Sequence, residues 1–252
     1  MKNNILYNEI NLLKKSKNAI ILSHYYTLPD VQEISDFVGD SLALAHFAQK
    51  TKANIIIFSG VNFMAETAKI LNPNKKVLVP DFDSACSLAD SCPTDKFKSF
   101  LNNYPDYKVV SYINCSAEIK AMSTIICTSS NAVKVVESFD KKENIIFAPD
   151  KNLGNYINNI TQRNMILWDG ACHVHDQLKI ENLIELKKEN PDAKVIAHPE
   201  CKDIILKLAD FIGSTKAMLD FTQIDNSKKY IVATETRIIY QMKKMSPNKD
   251  FI

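Results

Sequence analysis

No C-x-x-C pair occurs in the 252 residues, although there are six cysteines. A zinc ribbon and a thioredoxin-type redox site are thereby excluded. No apolar run approaches the roughly 20 residues needed to span a bilayer. The opening segment, MKNNILYNEINLLKKSKN, has no apolar signal-peptide core and reads as a polar amphipathic helix. Charge of one sign is nearly balanced by the other: 31 Lys and Arg stand against 29 Asp and Glu, a net +2. Such balance gives a nucleic acid or a strongly anionic partner no electrostatic footing. There is no low-complexity linker, so any repeated units should pack closely. The expectation is a soluble cytoplasmic protein with neither a nucleic-acid nor a membrane partner. Hydrophobic residues at 46% and charged residues at 24% fit an ordinary globular chain.

What is present is a repeat. Three junctions pair an apolar run with Ser, Thr, Asn or Gly and then a helix. They begin at Ile55 (IIIFSGVNFMAETAKIL), Ile125 (IICTSSNAVKVVESF) and Phe211 (FIGSTKAMLDF). Each is followed by a strand running to Asp81, Asp150 or Glu235, and preceded by one starting at Ala19, Lys108 or Lys194. Strands alternating with helices imply parallel sheets. The fold class expected is α/β: three pseudo-threefold-related αβα sandwich units with short parallel sheets and an active site at the centre. The units are placed at residues 1–84, 85–170 and 171–252, with the N-terminal helix free to pack on another unit. The third unit reads as lacking its C-terminal end. Cys86 and Cys172 follow the strands ending near Asp81 and Asp150, so symmetry predicts a third cysteine after Glu235; none occurs up to Ile252.

Polar residues gather at the strand ends, where open α/β sheets bind ligands. The first unit supplies His24, Tyr25, Tyr26 and Ser41. The second supplies Tyr112, Asn114, Ser129 and Asn131, and the third His198, Glu200, Ser214 and Thr215. Hydroxyls at helix starts suit phosphate or carboxylate. Taken one at a time, Ser41, Ser129, Asn131, Ser214 and Thr215 are as well read as helix caps. The company of His, Tyr and Glu in all three units favours an anion site. WDGACHVHD places Cys172, His173, His175 and Asp176 in one short stretch, a set suited to metal binding or acid–base work. If that stretch is extended, only one of the two histidines faces the site. Cys92, Cys115, Cys127 and Cys201 are expected as small buried residues.

SHYYTLPDVQEISDFVGDS, ACSLADSCP, SYINCSAEIKA, CTSSNAVKVV, WDGACHVH, AHPEC and GSTKAML occur in this order over nearly the whole chain. Together they resemble the quinolinate synthase family. The resemblance implies three αβα sandwiches around a [4Fe-4S] cluster held by three cysteines. It implies condensation of iminoaspartate with dihydroxyacetone phosphate to quinolinate, the precursor of NAD, with an aspartate oxidase as the source of iminoaspartate. By motif, Cys86 and Cys172 are the implied cluster ligands, the third being expected beyond Ile252. Implied for catalysis are Tyr26, Glu200, His24 and His175. Implied for substrate binding are His24, Ser41, Tyr112, Asn114, Ser129, His198, Glu200, Ser214 and Thr215. Two other readings stay open. One is a zinc-dependent lyase or aldolase using Cys172, His175 and His198 as ligands with Glu200 as base. The other is a cluster-free homologue that only binds a small anion.

Overall fold

The computed structural model describes residues 4–252. Two compact units divide it, the first running to Cys86 and the second from Ser87 to Ile252. The first unit holds one parallel sheet of β1 (Ala19–His24), β2 (Phe37–Gly39), β3 (Ile55–Ser59) and β4 (Lys76–Leu78), in the order β2-β1-β3-β4. The second unit holds two. One contains β5 (Lys108–Tyr112), β6 (Ile125–Cys127), β7 (Ile145–Ala148) and β8 (Ile166–Leu167), ordered β6-β5-β7-β8. The other contains β9 (Lys194–Ala197), β10 (Phe211–Ile212), β11 (Lys229–Ala233) and β12 (Asp250–Phe251), ordered β10-β9-β11-β12. One strand order thus occurs three times. In each sheet the chain visits one side of its first strand and then crosses to the other, leaving a crevice at the carboxyl ends of the two inner strands.

The inner strands are the most apolar. All four residues of β7, IIFA, are buried, as expected for a parallel strand covered on both faces. Phe97, Val109, Cys115, Ile119 and Ala148 pack beside one sheet, with Trp168 against Phe97 at 5.5 Å between rings. Leu183, Val195, Ala197, Cys201, Ile205 and Ile231 pack beside the other. Each large side chain so buried contributes roughly 2–3 kcal/mol. The helix Asn4–Lys17 is tied to its own unit: Tyr7 Oη donates to the Glu33 carbonyl at 2.6 Å, and Lys14 pairs with Asp36 at 2.9 Å.

The repeat is also visible in its hydrogen bonds. Just before each short edge strand stands a side-chain acceptor. Asp36 Oδ2 takes the N–H of Ile21 at 2.8 Å, Thr124 Oγ1 that of Val109 at 3.0 Å, and Asp210 Oδ2 that of Val195 at 2.7 Å. Each residue also donates its own N–H back to the same partner's carbonyl at 2.8 Å. This device corrects the register read from sequence. The junction equivalent to those at Ile125 and Phe211 lies at β2, not at Ile55. A strand of three residues set among Asp, Gly and Ser carries too little apolar signal to be noticed. In consequence Asp150 and Glu235 follow β7 and β11, whereas Asp81 follows β4. Cys86 follows β4 and Cys172 follows β8. The equivalent strand in the third sheet is β12, not the strand that ends before Glu235.

Candidate active site

With the register corrected, the site residues fall into sets of equivalent positions. His24, Tyr112 and His198 stand at or just past the ends of β1, β5 and β9. Tyr26, Asn114 and Glu200 come two residues later. Ser41, Ser129 and Thr215 follow the edge strands β2, β6 and β10.

In the first unit, His24 is buried, and its Nδ1 accepts the N–H of Tyr26 at 3.2 Å. The two rings meet edge to face at 4.5 Å. Ser41 opens the helix Ser41–Lys50, but the cap is Asp40, which accepts from the Ala43 N–H at 2.9 Å. Cys86 is half-buried.

In the second unit the polar groups converge on Glu200, which is 2% exposed. Its Oε1 accepts the Tyr112 hydroxyl at 2.6 Å, and its Oε2 lies 3.0 Å from His175 Nδ1. His198 stacks on His175 with ring centroids 4.9 Å apart. His198 Nδ1 is 3.4 Å from the Glu200 N–H, and its Nε2 is 3.3 Å from Ser129 Oγ. The same contact from a ring Nδ1 to the N–H two residues on is made by His24, so it is a property of this strand end. On its far side His175 Nε2 meets Thr234 Oγ1 at 2.8 Å. Cys172 Sγ lies 3.1 Å from His175 Nδ1. The Cys172 N–H donates to Asp150 Oδ2 at 3.0 Å.

The electrostatics follow from burial. Desolvation pushes the His198 imidazole down to about 4, against the pull of Glu200. The ring is therefore neutral at pH 7, as an Nδ1 acting as acceptor requires. Burial alone would raise the Glu200 carboxyl. The two histidines and the hydrogen bonds from His175 and Tyr112 outweigh that effect and hold it below the usual carboxylate range. Asp150 is pushed up to about 7, first by burial and then by Glu200. The group can accept a proton at Glu200 and return one from Tyr112 or His175.

Cys172, His175 and Glu200 offer three metal-ligating atoms within 4.8 Å of one another. His198, the third ligand in the zinc reading from sequence, is not in that set; Glu200 takes its place. Cys86 and Cys172 are the two half-buried cysteines, and the other four are buried. Burial pushes Cys92 and Cys201 up to about 12 and Cys127 higher still. Burial disfavours the free thiolate at those three positions. Cys172, beside His175 and Glu200, therefore stands among donors that suit a thiolate-bound metal group.

Of the candidate caps, Ser214 alone acts as one through its side chain, accepting the Ala217 N–H at 3.3 Å. Asn131 instead accepts the Thr128 N–H at 2.7 Å. His175 is buried and His173 exposed, so one of the pair enters the site, although from a short helix rather than an extended loop. His46 is exposed. Asn114 Oδ1 is buried without a hydrogen-bond partner among the described residues. Sequence reasoning did not single out Thr234 or Asp150 as site residues. The signal that finds them is their place just past β11 and β7.

A family model described as quinolinate synthetase A protein matches residues 8–252. Quinolinate synthase of Chloroherpeton thalassium is 58% identical over 98% of this chain and 77% of its own length. The quinolinate synthases of Trichormus variabilis and Synechocystis are 57% and 55% identical, each over 98% of this chain. They are matched over 76% and 78% of their own lengths. On this match, spread over both units and all three sheets, the chain belongs to the quinolinate synthetase A family.

Proposed function

We propose that this chain condenses iminoaspartate with dihydroxyacetone phosphate to quinolinate, releasing phosphate and water, in the biosynthesis of NAD. The observation that carries the reading is the buried carboxylate of Glu200, set among Tyr112, His175 and His198 at the strand ends of a family member. Ring closure with loss of water needs protons taken and returned at defined atoms. Glu200 and Tyr26 are assigned those transfers, with His175 tuning Glu200 through its 3.0 Å contact. His24 and His198 are assigned the orientation of carbonyl and carboxylate groups. Tyr112 and Asn114 hold substrate carboxylates; the unpartnered Asn114 Oδ1 would gain a donor when substrate binds. Ser41, Ser129, Ser214 and Thr215 take phosphate or carboxylate oxygens at helix starts. A bound [4Fe-4S] cluster, with Cys86 and Cys172 among its ligands, would supply an iron acting as Lewis acid on a substrate oxygen or nitrogen.

An aspartate oxidase is the proposed source of iminoaspartate. No helix among the described residues is long and apolar enough to cross a membrane. Six free thiols suit the reducing cytoplasm proposed as its location.

The cluster of Cys172, His175 and Glu200 favours a second reading, a single zinc ion in a lyase. Anaerobic loading followed by metal, sulfide and visible-absorbance analysis separates the two. Iron with equimolar sulfide and a broad brown absorbance supports the synthase. One zinc without colour supports the lyase. The decisive assay is quinolinate formation from the two substrates; a loaded chain that makes none overturns the synthase reading.

A further inference from the structure

Asp150 lies at the end of β7, beside the proposed chemistry, and is 0% exposed. Its two carboxylate oxygens serve different masters. Oδ1 accepts the N–H of Leu153 at 2.7 Å and caps the helix Lys151–Thr161. Oδ2 accepts the N–H of Cys172 at 3.0 Å. The segment before Cys172 is held to the same place by its backbone. Asp150 and Gly170 form a parallel bridge, and the Lys151 N–H donates to the Gly170 carbonyl at 2.8 Å. The approach is so close that a Cβ on Gly170 would meet the Pro149 carbonyl oxygen at 2.5 Å. A cap alone needs one oxygen and tolerates exposure; a fully buried carboxylate with both oxygens engaged does more.

We propose that Asp150 is a positioning residue for Cys172: one carboxylate joins the start of a rigid helix to the loop carrying the thiol. It thereby sets where Sγ stands relative to His175 and Glu200. The proposal rests on the reading of Cys172 as a metal ligand, for which Asp150 is the supporting group that keeps the ligand oriented.

Asp150→Asn separates the two tasks. Asparagine has one acceptor oxygen, which can still cap Leu153, while its NH2 group then faces the Cys172 N–H as donor against donor. Asp150→Ser, a good cap too short to reach Cys172, is the second variant. Amide hydrogen exchange is read on residues 151–161 and on residues 170–172 separately, in the metal-free chain. The expected result is helix exchange close to wild type and exchange at 170–172 at least about tenfold faster. In the iron-loaded chain, release of iron to a chelator should be about 10–100-fold faster in either variant. Unchanged exchange at 170–172 overturns the proposal, and so does equal loosening of both segments, which would make Asp150 a helix cap only. If both variants unfold, the wild-type chain decides. Its Cys172 amide must exchange at least about 100-fold more slowly than in an unstructured chain, and exchange at the free rate overturns the proposal. A wild-type chain that takes up no metal would sink the ligand reading, while the exchange data would still settle the positioning role.

Discussion

Glu200 accepts from the Tyr112 hydroxyl and pairs with His175, so its substitution is the sharpest test at the scale of single residues. Glu200→Gln keeps the shape and removes the base. We expect quinolinate formation to fall at least about 100-fold while melting temperature and metal content hold, because a positioned acid–base group contributes on that order. Unimpaired turnover would remove Glu200 from the mechanism. Thr234→Val tests the support of His175. Valine fills the same space but leaves buried Nε2 without its 2.8 Å partner. The cost should be about 1–2 kcal/mol of stability, with turnover roughly tenfold slower as the ring loses its orientation. At this scale the sequence was generous where motifs are contiguous. His198 and Glu200 share one short stretch, AHPEC, and Cys172 and His175 share another. Thr234 and Asp150 were invisible as site residues, because a lone Thr or Asp after a strand looks like any turn residue.

Among the elements, the stacked pairs beside β2 and β10 show how the edge strands are seated. Phe37 stacks on Phe47 at 4.5 Å and Phe211 on Phe221 at 4.2 Å. Gly39 and Gly213 lie beneath these rings. A Cβ at Gly213 would meet Phe211 at 2.7 Å and Ala217 at 2.9 Å. Gly213→Ala should therefore cost about 1–3 kcal/mol by overpacking, read as a lowered denaturation midpoint. The start of β11 is pinned differently. Asp225 accepts from Lys194 at 2.5 Å, from the Tyr230 hydroxyl at 2.8 Å and from the Ser227 N–H at 3.0 Å. These bonds, that from Lys194 foremost, hold its carboxyl below the usual range. A group whose folded pKa is lowered adds stability above its unfolded value, near 3.9, and loses it as pH falls through the folded value. Asp225→Asn should thus destabilise at pH 7 by about 1 kcal/mol. The gap from wild type should close as the pH is brought below about 4. A gap that persists undiminished in acid would show that packing, not charge, is what the variant lost.

Taken whole, the chain is one strand order used three times, and that much was legible in the amino acids. Alternating apolar runs and helices announce parallel βα units, and the central strands β1, β5 and β9 begin where the sequence places them, at Ala19, Lys108 and Lys194. The repeat register was misread by one strand in the first unit, since β2 is too short for an apolar period to register. Hydrogen bonds from Asp36, Thr124 and Asp210 supply the alignment that composition could not. If a metal group binds only the folded chain, it must raise the melting temperature, and a chelator must lower it again. Cys172→Ser should abolish both effects together with metal uptake, and a variant that loads normally would move the site elsewhere. The amino-acid sequence by itself determined most of the elements and the family, because propensity and motif are local. Only the tertiary structure decided that Tyr112 and His175 meet the buried carboxylate of Glu200, with Thr234 behind His175 and Ser129 beside His198, and that Asp150 holds the backbone of Cys172. Those contacts join residues far apart in the chain, and nothing in their local sequence encodes which distant strand end will face them.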